Sequence, residues 1–146
     1  MCWKSIVKWW NRGFDKSKFI EEQFQFLEEY GFEYSYVNDK NTIFYYRFST
    51  GKIMLQFDED YTRSFLELSI VRGEEILLGE SWRHPTHNDI FRGYSEWNKA
   101  VYIVGQCDMK RNISIRDEMF QCMVLLYVEF VKQNLDIILS LAENPS

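Results

Sequence analysis

The first apolar pattern along the chain has helical spacing. Trp3, Ile6, Val7 and Trp10 follow one another at intervals of three and four residues, so a helix would place them on one face. Tryptophan beside basic residues is typical of helices that lie in a membrane interface. Because roughly three turns with so few apolar side chains bind a bilayer weakly, we expect this short helix to pack on the edge of the domain instead.

A second helical pattern runs from Ser17 to Gly31. Its apolar residues form one stripe, whereas its glutamates fall on the other side and face water. The stripe comprises Phe19, Ile20, Phe24, Leu27 and Tyr30, and the glutamates are Glu21, Glu22, Glu28 and Glu29. Ser17 has the side chain of a helix N-cap, and Gly31 can adopt the left-handed conformation that ends helices. The pattern therefore predicts a helix with defined ends.

Alternation of apolar and polar residues replaces helical spacing after Gly31. Several such stretches are separated by clusters of turn-forming residues, which predicts short strands. They cover residues 32–36, 42–48, 53–57, 66–70 and 76–78. An acidic loop, Asp58-Glu59-Asp60, follows the third stretch. Because short connections force consecutive strands to be antiparallel neighbours, we expect a β-meander of about four to six strands.

The second half of the chain contains one long helical pattern. Periodicity is lost after Gly79, which indicates an ordered loop, and residues 101–104 resemble a short strand. From Ser114, a potential N-cap, helical spacing continues to residue 141, before Asn144-Pro145. A helix of about 28 residues would extend roughly 42 Å and cross the whole sheet. We therefore predict a single α+β domain over residues 1–146, in which the meander packs against an N-terminal helix and a long C-terminal helix.

Aromatic residues make up 18% of the chain, a high share that bears on both the core and the surface. Phe44, Tyr46, Phe48 and Phe57 are expected to pack under the helices. The remaining tyrosines and tryptophans are too numerous for one core to hide, and such rings are enriched in protein interfaces. The candidate interface combines these rings with the acidic loop, and it consists of Tyr34, Tyr36, Tyr45, Asp58, Glu59, Asp60, Tyr61, Trp82, Tyr94 and Trp97.

Charge narrows the class of partner. The formal net charge is -5, and residues 14–60 carry ten acidic residues against five basic ones, whereas residues 1–13 carry three basic residues and no acidic one. Such a surface disfavours nucleic acid, because binding to phosphates depends on clustered lysine and arginine. It suits a basic protein partner better.

The chain lacks the usual sequence features of secretion and membrane insertion. Its start has no signal-peptide pattern, and no stretch approaches the ~20 apolar residues of a membrane span. The three cysteines, Cys2, Cys107 and Cys122, are odd in number and lack CxxC spacing, which argues against a disulfide framework and a zinc site. We therefore expect a cytoplasmic protein with reduced thiols.

Candidate catalytic and metal-binding residues are few. His84, His87 and Asp89 could supply three ligands from one loop, but their spacing matches no zinc signature, and Pro85 opposes a helical arrangement of the histidines. Glycine-rich phosphate loops and nucleophile elbows are absent from the sequence. We therefore expect no enzymatic activity and no cofactor. The alternative is a small metal-dependent or acid–base enzyme centred on the His84–Asp89 loop.

The sequence FQFLEEYGF at residues 24–32 is followed by strand patterns at 42–48, 52–58 and 65–72 and by a terminal helix. In this order the chain resembles small uncharacterised bacterial proteins, some of which look like the immunity proteins of polymorphic-toxin loci. The resemblance implies a binding protein that neutralises a toxin by direct contact, and it carries over no catalytic residue. A self-associating structural protein, in the simplest case a homodimer, is a third hypothesis.

Overall fold

The computed structural model describes residues 14–39, 43–60, 66–79, 88–106 and 117–143. Several sequence predictions therefore lie outside the described residues. These are the first helix with Trp3 and Trp10, the candidate interface residues Tyr61 and Trp82, the histidines His84 and His87, and the proposed cap Ser114.

A single antiparallel sheet forms the centre of the molecule. Its strands are β1 (Glu33–Asp39), β2 (Ile43–Ser49), β3 (Met54–Asp60), β4 (Leu66–Arg72) and β5 (Glu75–Leu78), and they lie side by side in chain order. Each strand is antiparallel to the next, and a register shift at Ile70 and Val71 interrupts the pairing of β4 with β5. This order confirms the predicted meander. Its physical reason is that short connections leave no room for a crossover.

One helical region precedes the sheet in the chain, and the other helices follow it. The α-helices are α1 (Lys16–Gln23), α2 (Tyr94–Gln106), α3 (Asp117–Gln133) and α4 (Leu135–Glu143), and short 3₁₀ helices span Gln25–Tyr30 and Asn88–Ile90. Within the described residues, no helix is long and apolar enough to span a bilayer. Together with the antiparallel sheet, these helices confirm the α+β class with an N-terminal helix and a long C-terminal helix.

The helix before the sheet begins two residues earlier than predicted. Asp15 is its N-cap, and the side chain of Asp15 accepts a hydrogen bond of 3.1 Å from the amide of Lys18. Ser17 is therefore not the cap. After Gln23 the chain tightens into the 3₁₀ helix, which lets Phe24 and Leu27, three residues apart, both face the sheet at 1% exposure. The helical region ends as predicted at Gly31, whose φ is +90°.

Two predictions in the second half are wrong. Residues 101–104 form no strand but belong to α2, where Val101 is fully buried. The C-terminal helix is also not continuous, because α3 ends at Gln133 and α4 begins at Leu135. Between them lies Asn134, whose side-chain amide donates to the carbonyl of Phe130 and whose oxygen accepts from the amide of Arg92 at 2.6 Å. Such side-chain bonds compete with regular helix geometry.

The core lies between the helices and one face of the sheet. Phe24 of the helical region contacts Phe57 of β3 at a ring-centroid distance of 5.0 Å, and Tyr127 of α3 contacts the same ring at 5.2 Å. Tyr127 also donates a hydrogen bond to the carbonyl of Leu66. Of the four rings predicted to be in the core, Tyr46, Phe48 and Phe57 are buried and Phe44 is partly buried against them.

Candidate functional site

A groove of about 290 Å³ lies where α1 and the following 3₁₀ helix meet the beginning of β1. Its floor is apolar and its rim is acidic. The floor includes Phe24, Leu27, Phe32 and Phe48, and the rim includes Glu21, Glu28 and Glu33. Among the described residues that line the groove there are three carboxylates and no lysine or arginine. The groove is therefore a local concentration of negative charge above apolar rings.

The position of the three rim glutamates follows from the local structure. Ile20 and Leu27 are buried against the core, whereas the residue that follows each of them, Glu21 and Glu28, is exposed to solvent. Glu33 is the first residue of β1 and is also exposed. Within the described parts of the chain, none of the three forms a salt bridge. Their charge is therefore available to a partner.

Tyr34 forms a wall of the groove and connects β1 to α1. Its hydroxyl lies 2.6 Å from Oγ of Ser17 and also donates to the Ser17 carbonyl at 3.2 Å. Its ring packs on Phe48 at 4.9 Å. Burial raises the pKa of Tyr34 above its usual value, and the nearby Glu21 adds to the effect. The phenol therefore stays neutral and holds α1 in place beside the first strand.

β1 is an edge strand, since β2 is its one strand partner among the described residues. It exposes two large apolar side chains, Tyr36 at 43% and Val37 at 36%. The ring of Tyr36 packs on Tyr46 at 5.3 Å, so one side of it is fixed while the other meets solvent. Burial and then Glu59 raise the pKa of Tyr36. An exposed edge strand of this kind is a ready template for pairing with another chain.

The predicted acidic loop at residues 58–60 is wrong. β3 continues to Asp60, and Glu59 is only 1% exposed on the side of the sheet that faces the helices. There Nζ of Lys16 lies 2.5 Å from Glu59 Oε2, and the hydroxyl of Tyr46 donates to Oε1 at 2.8 Å. Because these groups compensate the carboxylate, Glu59 anchors α1 to the sheet instead of contacting a partner. Burial, followed by the charge of Glu59, raises the pKa of Tyr46.

Asp58 and Tyr45 belong to the opposite face of the sheet. Asp58 is 7% exposed and accepts a hydrogen bond of 2.8 Å from the side-chain amide of Gln56. Gln56 in turn accepts from Nε of Arg47 at 2.6 Å, and the guanidinium of Arg47 lies 5.0 Å from the ring centre of Tyr45. These residues form a polar network across β2 and β3. Asp60 closes β3 opposite Ile43, and nothing is described of its side chain.

Tyr94 and Trp97 pack between α2 and α3, remote from β1 in the fold. The indole of Trp97 donates to the carbonyl of Leu126 at 2.6 Å and stacks on Phe130 at 4.3 Å. Tyr94 lies edge-on to Phe130 at 6.3 Å. These two rings are partly buried, and their main contacts are with the C-terminal helix. Of the predicted interface, the structure thus brings together Tyr34 and Tyr36 on one face of β1.

The rim glutamates were not among the predicted interface residues, although a signal for them was present. Glu21 and Glu28 are seven residues apart, a spacing that places side chains on one face of a helix. The helical region ends directly before β1. This order indicates that the face with Glu21 and Glu28 borders the first strand. What the pattern could not show is the groove itself, because its floor includes Phe48 from β2.

The proposed metal-binding loop is described at one residue only. Asp89 is exposed in the 3₁₀ helix Asn88–Ile90, whereas His84 and His87 lie outside the described residues. Over the described ranges no group of three histidine, cysteine or acidic side chains could hold a metal ion. The enzyme hypothesis therefore gains no support from the described geometry.

No protein-family model matches the chain, and neither a curated protein nor a solved structure gives a significant match.

Proposed function

We propose that this chain is a non-enzymatic protein-binding domain of the bacterial immunity type, which neutralises a toxin by binding it directly. The observation that carries the proposal is the acid-rimmed groove beside the exposed edge strand β1. The toxin would be a basic protein encountered in the cytoplasm.

Electrostatics support a basic partner. Glu21, Glu28 and Glu33 are exposed and have no described counter-ion, so the surface around the groove carries an unbalanced negative field. Such a field accelerates encounter with a positively charged protein and repels acidic ones. Once the partner is bound, the exposed ring of Tyr36 offers rigid apolar contact area with a polar end.

Co-expression with a toxin encoded by a neighbouring gene tests the proposal. We expect the chain to protect the cells and to elute together with the toxin in gel filtration. A toxin that still kills the cells and forms no complex would overturn the proposed function.

A matched pair of variants locates the surface in the same assay. The groove pair, Glu21→Gln with Glu28→Gln, neutralises two carboxylates on the rim. The control pair, Glu22→Gln with Glu29→Gln, makes the same chemical change one residue further along, at exposed positions that do not line the groove. Protection should weaken with the groove pair and persist with the control pair. Equal protection by both would place the toxin contact elsewhere.

A further inference from the structure

We infer that the partner binds by strand addition: an extended basic segment pairs with β1 as a sixth strand of the sheet and inserts an apolar side chain into the groove. The inference rests on the proposed function and specifies how the partner is recognised.

The edge of β1 supplies the backbone part of this recognition. β1 is seven residues long, so it offers about 24 Å of ladder to an incoming strand. Within the described residues no strand occupies its outer side. Natural proteins usually protect such an edge with lysine, proline or a bulge. The sequence of β1, EYSYVND, contains neither lysine nor proline, and its pairing with β2 is continuous over all seven residues.

The groove supplies the side-chain part. Tyr34 lies opposite Phe48 in the sheet and faces α1, so the helix-facing side of β1 borders the groove. Side chains of a paired strand alternate between the two faces, and those on the helix-facing side of an added strand would point towards this space. At about 290 Å³ the groove is at the small end of small-molecule pockets, whose volumes are about 300–1,000 Å³. Its size is better suited to a side chain.

Charge selects the occupant. The groove rim contributes Glu21, Glu28 and Glu33, so arginine or lysine two residues from the inserted apolar residue, on the same face of the added strand, would find counter-ions. A second copy of the chain is a poorer occupant. Its edge strand, EYSYVND, carries no lysine or arginine that could pair with the rim carboxylates, and like charges repel. A basic segment of another protein is therefore the expected partner.

Two synthetic peptides test the inference on the full chain. The first has about eight residues, the length of an ordinary strand, in which threonine alternates with arginine or valine, so that arginine and valine share one face of the strand. The second has the same sequence with every backbone nitrogen methylated, which keeps the charges and side chains but removes all hydrogen-bond donors of the ladder. We expect the first peptide to bind and the second to bind at least about tenfold more weakly, since each lost backbone bond costs a several-fold factor in affinity.

Hydrogen exchange and the charge variants then locate the bound peptide. Alternate amides of an edge strand point away from the sheet, and these amides of β1 should exchange more slowly when the unmodified peptide is added. The groove pair should lower the affinity roughly tenfold, whereas the control pair should change it little. Melting temperatures of both pairs verify that the folded state is intact.

Several outcomes would overturn strand addition. Equal binding of both peptides would do so while leaving a basic partner, and with it the proposed function, in place. Protection of amides outside β1, absence of binding by the unmodified peptide, or a dimer in sedimentation velocity whose interface protects β1 would each reject the inference as well. The co-expression assay tests the proposed function, and its outcome does not depend on how the peptides bind.

Discussion

Glu59 lies between α1 and the sheet, whereas Glu21, Glu28 and Glu33 lie around the groove, and the two sites differ in whether the acidic charge is compensated. Under α1, Glu59 is 1% exposed and is held by Lys16 and Tyr46. At the groove, Glu21, Glu28 and Glu33 are exposed and form no described salt bridge. A compensated carboxylate stabilises the fold, and an uncompensated one remains available for binding. The same residue type therefore has opposite roles under α1 and at the groove.

Removal of the Lys16 cation, which pairs with the buried Glu59, should give the largest effect. In Lys16→Ala the buried carboxylate of Glu59 loses its ion pair with Lys16, and breaking a buried pair by removal of one member costs about 3–5 kcal/mol. Lys18→Ala, an exposed lysine two residues further on, is the matched control and should change the free energy of unfolding by less than about 0.5 kcal/mol. Urea denaturation measures both. Equal stability of the two variants would show that Glu59 does not depend on Lys16.

Replacement of Lys16, Tyr46 and Glu59 together, the cluster under α1, should restore much of the stability that Lys16→Ala loses. The triple variant Lys16→Met, Tyr46→Phe and Glu59→Leu removes the charges and the hydroxyl together. Because apolar residues of similar volume often replace a buried ion pair at no net cost, we expect the triple variant to be more stable than Lys16→Ala. A triple variant less stable than Lys16→Ala would mean that the cluster contributes more than the compensation of one charge.

The tyrosine of the cluster gives a smaller, pH-dependent effect. Tyr46→Phe removes a hydrogen bond to a charged acceptor and should cost about 1.5–3 kcal/mol at neutral pH. The pKa of Tyr46 is raised in the folded protein, so above the unfolded value of about 10 the unfolded state loses this proton first. Stability from this group is therefore present below pH ~10 and falls by about 1.4 kcal/mol per pH unit above it.

Alkaline denaturation isolates that contribution by comparison of variants. Wild type should lose stability above pH ~10 more steeply than Tyr46→Phe. Tyr102→Phe is the control, because Tyr102 is 53% exposed, and it should keep the wild-type slope. Parallel curves for wild type and Tyr46→Phe would show that Tyr46 ionises equally easily in both states.

The compensation around Glu59 also shows where sequence reasoning succeeds and where it fails. The strands could be predicted, because alternation and turn residues are local signals and the turns fix which strands are neighbours. The role of Glu59 could not, since its cation lies 43 residues away at Lys16. For the same reason Asn134 looked like one more position of a helix: its partner, the amide of Arg92, lies 42 residues away. In the candidate site, Tyr34 and Tyr36 followed from their ring chemistry, but the groove required four elements to be in place: α1, the 3₁₀ helix, β1 and β2.

The smallest expected effect on stability concerns Glu21 and Glu28. It tests whether these exposed carboxylates, unlike Glu59, contribute little to the fold. The groove pair, Glu21→Gln with Glu28→Gln, removes exposed charges that no described salt bridge uses, so the free energy of unfolding should change by less than about 0.5 kcal/mol. The control pair, Glu22→Gln with Glu29→Gln, should behave alike, and the slope of the urea transition should stay constant for both. If the groove pair alone lost about 2 kcal/mol or more, its carboxylates would be structural like Glu59, because only buried or networked groups have effects of that size. A loss of binding without a loss of stability would instead place the function of these carboxylates in the contact with the partner.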